Sequence, residues 1–371
     1  MAAHQQRAHQ LQSHSTPWPA DLKDLAANPF PTTFSNPIYQ GADPWVTHKD
    51  GWYYLCKSGY GGQIEVWKSR SPVHRGQCAV VWTPPRRSWN SHQVWAPELH
   101  WLNGKWYIYY AASDGRNANH RMGVLECTTT DPQDAFIDRG QLYTGDDFRN
   151  HRNNRWAIDG TILNQDGRLY FLWSGWEDHR DLQHLYIARM SDPCTIAGNR
   201  SQLAPNDCHP WERVAECPHQ RGLHEAPQIL HRNGRIFLIY SCSGSWQHSY
   251  KLGMLHMPDY LDPMNSSNWT KHNRPVFNST NEIYGVGHCC FTHSPDHSED
   301  WLIYHAKRHR NDGWDRIVRA QKFGWDEDGL PDFGQPAPNN ELLSMPSTTR
   351  LPMPAEGGAR IIESDAMPLQ V

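Results

Sequence analysis

The side chains best suited to chemistry recur at nearly even intervals along this sequence. They are four carboxylates and a histidine, 55, 61, 66 and 63 residues apart: Asp43, Glu98, Asp159, Glu225 and His288. Carboxylates that share a pocket repel one another, which separates their pKa values and makes one group an acid and another a base. The set therefore predicts acid–base chemistry, provided that the fold brings these positions together.

A repeated pattern of turns and aromatic strands indicates how that could happen. An Asp-Gly or Asn-Gly pair stands between apolar runs at 50–51, 103–104, 166–167 and 233–234, and a fifth copy at 299–304 lacks the glycine. Such pairs favour the type I′ turns of β-hairpins. A third apolar segment follows each hairpin, so the chain reads as five similar units and predicts a five-bladed β-propeller. The first strand of each blade lines the central channel, and the five positions should therefore converge on one channel mouth.

Composition agrees with an all-β protein. The 371 residues include 27 glycines, 27 prolines and 18 tryptophans, which suits many short strands and aromatic surfaces for a flat-faced ligand. A net charge of −4 without a basic stripe argues against nucleic acid as a partner. No apolar run reaches the roughly 18 residues that a membrane helix needs, so no membrane partner is expected.

We expect a disordered leader over residues 1–28 and a single propeller domain over 29–371, closed by a Pro-rich segment from about residue 335. The leader is rich in His, Gln and Ser and has no hydrophobic signal-peptide core. The location in the cell stays open: cytoplasmic by default, and secreted if an export signal has been removed.

The segments around three of the carboxylates resemble one enzyme family. Gly41-Ala42-Asp43-Pro44, Trp156-Ala157-Ile158-Asp159-Gly160 and His224-Glu225-Ala226-Pro227 are similar to motifs of glycoside hydrolase family 43, and the resemblance extends over roughly residues 36–334. The resemblance implies that Asp43 is the general base, that Asp159 orients the acid and tunes its pKa, and that Glu225 is the general acid. It also implies inversion of the anomeric centre, for which the Asp43–Glu225 separation should be roughly 6.5–9.5 Å.

The same resemblance suggests roles for three further residues. Trp95 matches an aromatic wall against the terminal sugar, and Arg319 matches an arginine that reaches a sugar hydroxyl. His288 matches a histidine near the propeller axis that helps, through water, to hold a structural metal, for which calcium is the expected ion. No cofactor is expected for the chemistry itself, and Glu98 is expected to be structural.

Exo-acting α-1,5-L-arabinofuranosidases are the most similar members, which implies release of terminal α-L-arabinofuranose from arabinan, arabinoxylan-type polysaccharides or arabino-oligosaccharides. A β-xylosidase or an endo-arabinanase with the same three carboxylates stays open. The alternative of another class is a non-catalytic sugar-binding propeller. Such a protein would not require Asp43, Asp159 and Glu225 together.

Overall fold

Five antiparallel sheets dominate the computed structural model, which describes residues 31–177, 182–214 and 222–348. In chain order, the blade strands are Trp45–Lys49, Trp52–Ser58, Ile64–Ser69 and Gln77–Trp82 in blade 1; His92–Leu102, Lys105–Ser113, Arg121–Cys127 and Phe136–Gln141 in blade 2; Ala157–Gln165, Arg168–Trp176, Gln183–Asp192, Thr195–Ile196 and Ser201–Ala204 in blade 3; His224–Arg232, Arg235–Cys242, Lys251–Pro258 and Thr270–Lys271 in blade 4; and Tyr284–His293, Asp300–Lys307, Arg316–Trp325 and Pro331–Asp332 in blade 5. The predicted five-bladed propeller is confirmed.

The four glycine-containing turns form as predicted. In each, both central residues have positive φ, from 50° at Asn103 to 80° at Gly167. The flanking residues pair directly, as Lys49 does with Trp52 and Gln165 with Arg168. These are the tight two-residue hairpins that type I′ geometry produces.

Residues from before blade 1 complete blade 5 and close the ring. Tyr39–Gln40 pairs with the third strand of blade 5, opposite Val318 and Ile317. Five buried apolar clusters each lie between neighbouring blades, and one of them joins Val46 of blade 1 to Ile303 of blade 5. We call this last boundary the seam.

The chain segments beyond the blades meet each other. Thr33–Phe34 pairs with Leu343–Ser344 in a separate two-stranded sheet. The leader predicted over 1–28 lies outside the described residues. Within the described ranges, short 3₁₀ helices occupy five connections: Tyr60–Gly62, Asn117–Asn119, His151–Asn153, Pro210–Glu212 and Ser266–Asn268. Among the described residues, no helix has the length and apolar character needed to span a membrane.

Candidate active site

One backbone irregularity recurs at the start of all five first strands. A residue with φ between 42° and 55° stands there, and four of the five strands shift register beside it, as expected for β-bulges. The five residues are Asp43, Ala96, Asp159, Ala226 and His288. Left-handed backbone is costly for residues other than glycine and concentrates at functional sites. The recurrence marks one end of the channel as the functional end.

The left-handed residues show that Glu98 and Glu225 are not at positions equivalent to Asp43. Glu98 lies two residues after the left-handed Ala96, and Glu225 lies one residue before Ala226. The near-even intervals between the five residues treat both glutamates as equivalent to Asp43, because intervals of this length do not reveal a bulge. A carboxylate displaced along the strand points in a different direction, so the two glutamates have different surroundings.

A cavity of about 740 Å³ opens at this end, within the usual range for ligand sites. Asp43, Asp159 and Glu225 all line it, together with Trp95 and His288. The structure therefore brings the three predicted catalytic carboxylates into one pocket.

Asp43 is surrounded by cationic and imidazole groups from blade 5. Its Oδ1 atom lies 3.2 Å from a guanidinium nitrogen of Arg316, 3.2 Å from Nδ1 of His288 and 3.2 Å from Nδ1 of His305. Burial by itself would raise the pKa of Asp43, but Arg316 and the two histidines outweigh it and hold this pKa well below its ordinary value. Asp43 is therefore ionised throughout the neutral range, as a general base must be.

Asp159 and Glu225 are both buried, and burial raises the pKa of each. The charge on Glu225 raises the pKa of Asp159 further. Tyr250 donates its hydroxyl hydrogen bond to Oε1 of Glu225 at 2.8 Å, and Gln183 donates to Oε2 at 3.3 Å. Two carboxylates that repel in a low-dielectric site retain a proton between them. The pair is therefore suited to donate a proton near neutral pH.

Asp159 links the acid to the rest of the site. Its Oδ2 atom accepts a hydrogen bond from the backbone N–H of Ala226 at 3.1 Å and lies 4.0 Å from Nδ1 of His288. The N–H that it accepts belongs to the residue directly after Glu225, so Asp159 holds the backbone that carries the proton donor. This geometry suits a residue that orients the acid.

Aromatic side chains form the cavity walls. Trp95 is partly buried and stacks on His120, with ring centroids 3.9 Å apart. Trp246 and Trp314, from loops of blades 4 and 5, also line the cavity, and their ring centroids are 5.7 Å apart. Flat apolar rings suit the faces of sugar rings. The structure thus places Trp95 where the predicted sugar wall would be.

The structure does not place Arg319 at the cavity, and Arg316 of the same strand lines it instead. Arg319 is fully buried and donates to Oδ1 of Asn339 at 2.9 Å and to the carbonyl of Pro338 at 3.3 Å. It therefore binds the segment after blade 5. Arg316 and Arg319 are three residues apart on one strand, so they are separated by about 10 Å and their side chains point to opposite faces. Arg316, at the first position of the strand, reaches the cavity.

The carboxylate of Glu98 is buried and has a partner at each oxygen. Its Oε1 atom accepts a hydrogen bond from the side chain of Gln228, and its Oε2 atom lies 2.9 Å from Nε2 of His100. None of these three residues lines the cavity. The carboxylate joins the first strands of blades 2 and 4 across the channel.

Sequence reasoning missed four residues that shape the acid and the base: Gln183, Tyr250, His305 and Arg316. They lie on, or directly before, second and third strands, whereas the repeated interval marks only the first strands. A usable signal existed, because alternate strands begin at the same end of a blade. Polar residues at the start of a third strand, such as Arg316, can therefore be identified from the sequence as candidates for contact with the carboxylates.

The donors around His288 fit calcium poorly. Atoms of Asp43, His288 and His305 that could bind a metal all lie within 4.8 Å of one another. Calcium takes six to eight oxygen ligands, whereas this group offers one carboxylate and two imidazoles. Arg316 already contacts the same carboxylate oxygen. These residues do not form a calcium site with ligands drawn mainly from the protein.

A propeller pocket that holds one carboxyl group with a lowered pKa and two buried carboxyl groups with raised pKa values has the two kinds of group that glycoside hydrolysis requires. The chain belongs to the glycosyl hydrolases family 43, whose family model matches residues 34–331. The resemblance identified from the sequence is therefore confirmed, and the protein is a glycoside hydrolase by family.

Relatives of known activity are similar over most of the chain. Alpha-L-arabinofuranosidase 43 of Humicola insolens is 32% identical over 348 residues, covering 90% of this chain and 68% of the relative. The extracellular exo-alpha-(1->5)-L-arabinofuranosidase of Streptomyces chartreusis is 33% identical over 294 residues, covering 76% of this chain and 85% of the relative. The chain spans 64% of the length of the enzyme of that name from Streptomyces avermitilis.

A solved structure agrees with the fold. The crystal structure of alpha-L-arabinofuranosidase from Lactobacillus brevis superposes with a TM-score of 0.75 at 31% sequence identity. The match covers 83% of this chain and 98% of that protein.

Proposed function

We propose that the protein is an inverting exo-α-L-arabinofuranosidase that releases terminal arabinofuranose from arabinan or arabino-oligosaccharides. The observation that carries the proposal is that one cavity holds Asp43, beside a guanidinium and two imidazoles, together with the buried carboxyl pair Asp159 and Glu225. The printed activities of the similar relatives supply the sugar.

The proposed reaction is a single displacement. Glu225 donates its proton to the glycosidic oxygen as the bond from that oxygen to the anomeric carbon breaks. Asp43 accepts a proton from a water molecule, whose oxygen bonds to the anomeric carbon from the opposite face. The products are free arabinose and a chain shorter by one sugar. This route requires an Asp43–Glu225 separation of roughly 6.5–9.5 Å, which leaves room for the water.

Asp159 orients the proton donor in this scheme. It accepts the N–H that follows Glu225 and faces His288, and both contacts favour its ionised form. The proposed mechanism requires that the proton of the pair resides on Glu225 when the substrate is bound. Trp95 contributes a flat wall for the terminal sugar, and Arg316, rather than Arg319, is the arginine within reach of a sugar hydroxyl.

The deciding experiment is an assay of the purified protein on linear arabinan, arabino-oligosaccharides and the 4-nitrophenyl glycosides of α-L-arabinofuranose and β-D-xylose. We expect arabinose as the sole small product from arabinan, and the anomer opposite to the substrate's in the first minutes of an NMR time course. A mixture of oligomers would indicate an endo-arabinanase. Cleavage of the xyloside alone would indicate a β-xylosidase, and no cleavage would indicate a sugar-binding propeller.

A structural calcium near His288 also stays a proposal. Because the protein offers few oxygen donors there, such an ion would take most of its ligands from water. Elemental analysis of the purified protein tests this directly. If calcium is present, dialysis against a chelator should lower the melting temperature and added calcium should restore it. A calcium content near zero after purification in calcium-containing buffer would exclude the ion.

A further inference from the structure

A fully buried carboxylate without a part in the reaction lies directly behind the proton donor. Glu212 ends the 3₁₀ helix Pro210–Glu212, in the connection between blades 3 and 4. Its Oε1 atom accepts hydrogen bonds from Nε2 of His224 at 2.7 Å and the hydroxyl of Tyr240 at 2.7 Å, and lies 2.6 Å from Nζ of Lys271. These partners come from the first, second and outer strands of blade 4. One carboxylate thus ties together three strands of the blade that carries the acid.

The connection to the acid is through the backbone. His224 directly precedes Glu225, and successive side chains of a strand point to opposite faces. The carbonyl of His224 also accepts a hydrogen bond from the hydroxyl of Ser174 at 2.7 Å. Gln183 donates to both Ser174 and Glu225. His224 is therefore held at its ring and at its carbonyl, one residue before the proton donor.

The charges around Glu212 are arranged to keep it ionised. Burial by itself would raise the pKa of Glu212, but His224 and Lys271 outweigh it and lower this pKa to about 2. Burial lowers the pKa of the His224 imidazole to about 4, so the ring is neutral and donates its Nε2 proton to the carboxylate. Buried ion pairs add little stability compared with apolar packing. Their directional hydrogen bonds, however, fix geometry.

We propose that Glu212 is a positioning residue for the general acid: by holding His224 on one face of the strand, it fixes the direction in which Glu225 enters the cavity from the other face. This inference rests on the function proposed above. It predicts that loss of Glu212 impairs protonation of the leaving group rather than catalysis in general.

The test compares a leaving group that needs a proton with one that does not. For Glu212→Gln, kcat on α-1,5-arabinobiose should fall at least about 10-fold more than kcat on 4-nitrophenyl α-L-arabinofuranoside, with similar KM values. Nitrophenolate is a good leaving group and requires little acid assistance. Equal losses on the two substrates would overturn the proposal.

Glu98→Gln is the matched control. Glu98 is also a buried carboxylate with a histidine partner, His100, at 2.9 Å, but it contacts neither His224 nor Glu225. Whatever destabilisation this variant causes should leave the ratio of the two rates at the wild-type value. A shift as large as that of Glu212→Gln would show that any buried carboxylate of the channel has this effect and would overturn the proposal.

A second variant decides the matter if Glu212→Gln does not fold. His224→Phe keeps a ring but removes the donor, and leaves Glu212 with Tyr240 and Lys271. Melting temperature verifies folding, and the same selective loss is expected; an unchanged ratio would contradict the proposal. If the wild-type protein cleaves xylosides instead, xylobiose and 4-nitrophenyl β-D-xyloside give the same ratio, so a wrong sugar and a wrong role for Glu212 remain distinguishable.

Discussion

The two sides of the cavity treat the same functional group in opposite ways. We call Asp43 with Arg316, His288 and His305 the base side, and Asp159 with Glu225 the acid side. On the base side, a guanidinium and two imidazoles approach one carboxylate oxygen and lower its pKa. On the acid side, two carboxylates are buried together and burial raises both pKa values.

The contrast shows that neighbours, not residue type, assign the chemical roles. Aspartate and glutamate in water differ by less than half a pKa unit, which is too little to separate an acid from a base. Here the separation comes from blade 5 for Asp43 and from burial for the acid pair. Each of the following changes removes a group from one side or from its direct contacts.

Loss of either reacting carboxylate should have the largest effect, with a different substrate dependence on each side. Glu225→Ala should lower kcat on arabino-oligosaccharides by about 10²–10⁴ and on 4-nitrophenyl α-L-arabinofuranoside much less, because only the former needs protonation. Asp43→Ala should lower both rates alike, because every substrate needs an activated water. Steady-state kinetics on the two substrates checks this. The same loss pattern in both variants would abolish the distinction between the two sides.

Removal of the Arg316 guanidinium should change the pKa of Asp43, on the base side. Arg316 lowers the pKa of Asp43, so Arg316→Met should raise that pKa and move the acidic limb of the kcat/KM profile to higher pH, with activity at neutral pH reduced by about 10-fold. The control is Arg319→Met, which removes a fully buried arginine of the same strand that does not line the cavity. It should lower the melting temperature and leave the acidic limb in place. If the acidic limb moved only in Arg319→Met, Arg319 rather than Arg316 would be the arginine that acts at the cavity.

Removal of the Tyr250 hydroxyl should change the pKa of Glu225, on the acid side, and this effect should be smaller. The hydrogen bond from Tyr250 favours the ionised form of Glu225 and lowers its pKa. In Tyr250→Phe the pKa should therefore rise, and the alkaline limb of kcat/KM should move up by about 1 pH unit or less. Movement of this limb to lower pH would contradict the assignment of Glu225 as the group whose deprotonation ends activity.

The fold and the three carboxylates that share the cavity could be predicted from the sequence, because the signals for them lie close together in the chain. Asp-Gly and Asn-Gly pairs set the hairpins, and each left-handed residue of blades 1 to 4 lies seven positions before its turn, as Asp43 does before Asp50 and Asp159 before Asp166. The same spacing leads to Ala226, beside the acid. In blade 2 the interval of seven leads to Ala96 and not to Glu98, so the interval alone shows that Glu98 is not equivalent to Asp43.

The partners of these carboxylates could not be derived in the same way. Arg316 reaches Asp43 across the seam, 273 positions away in the chain, and no local pattern reports such a contact. The resemblance indicates a strand that carries an arginine but not which face of the strand meets the cavity, and Arg319 is buried away from it. Gln183 approaches Glu225 only after blades 3 and 4 have packed.

Ring closure by Tyr39–Gln40 has a consequence for the order in which the protein acquires activity. The acid side is built within blades 3 and 4, and it needs neither chain end. The base side needs Asp43 from the first blade to meet three residues of the last, so it is incomplete until the ribosome has released residues up to Arg316. Contacts this distant in sequence form slowly. The onset of hydrolysis during refolding should therefore coincide with the final joining of the two ends, later than the burial of Trp173 and the other aromatic residues in the middle of the chain.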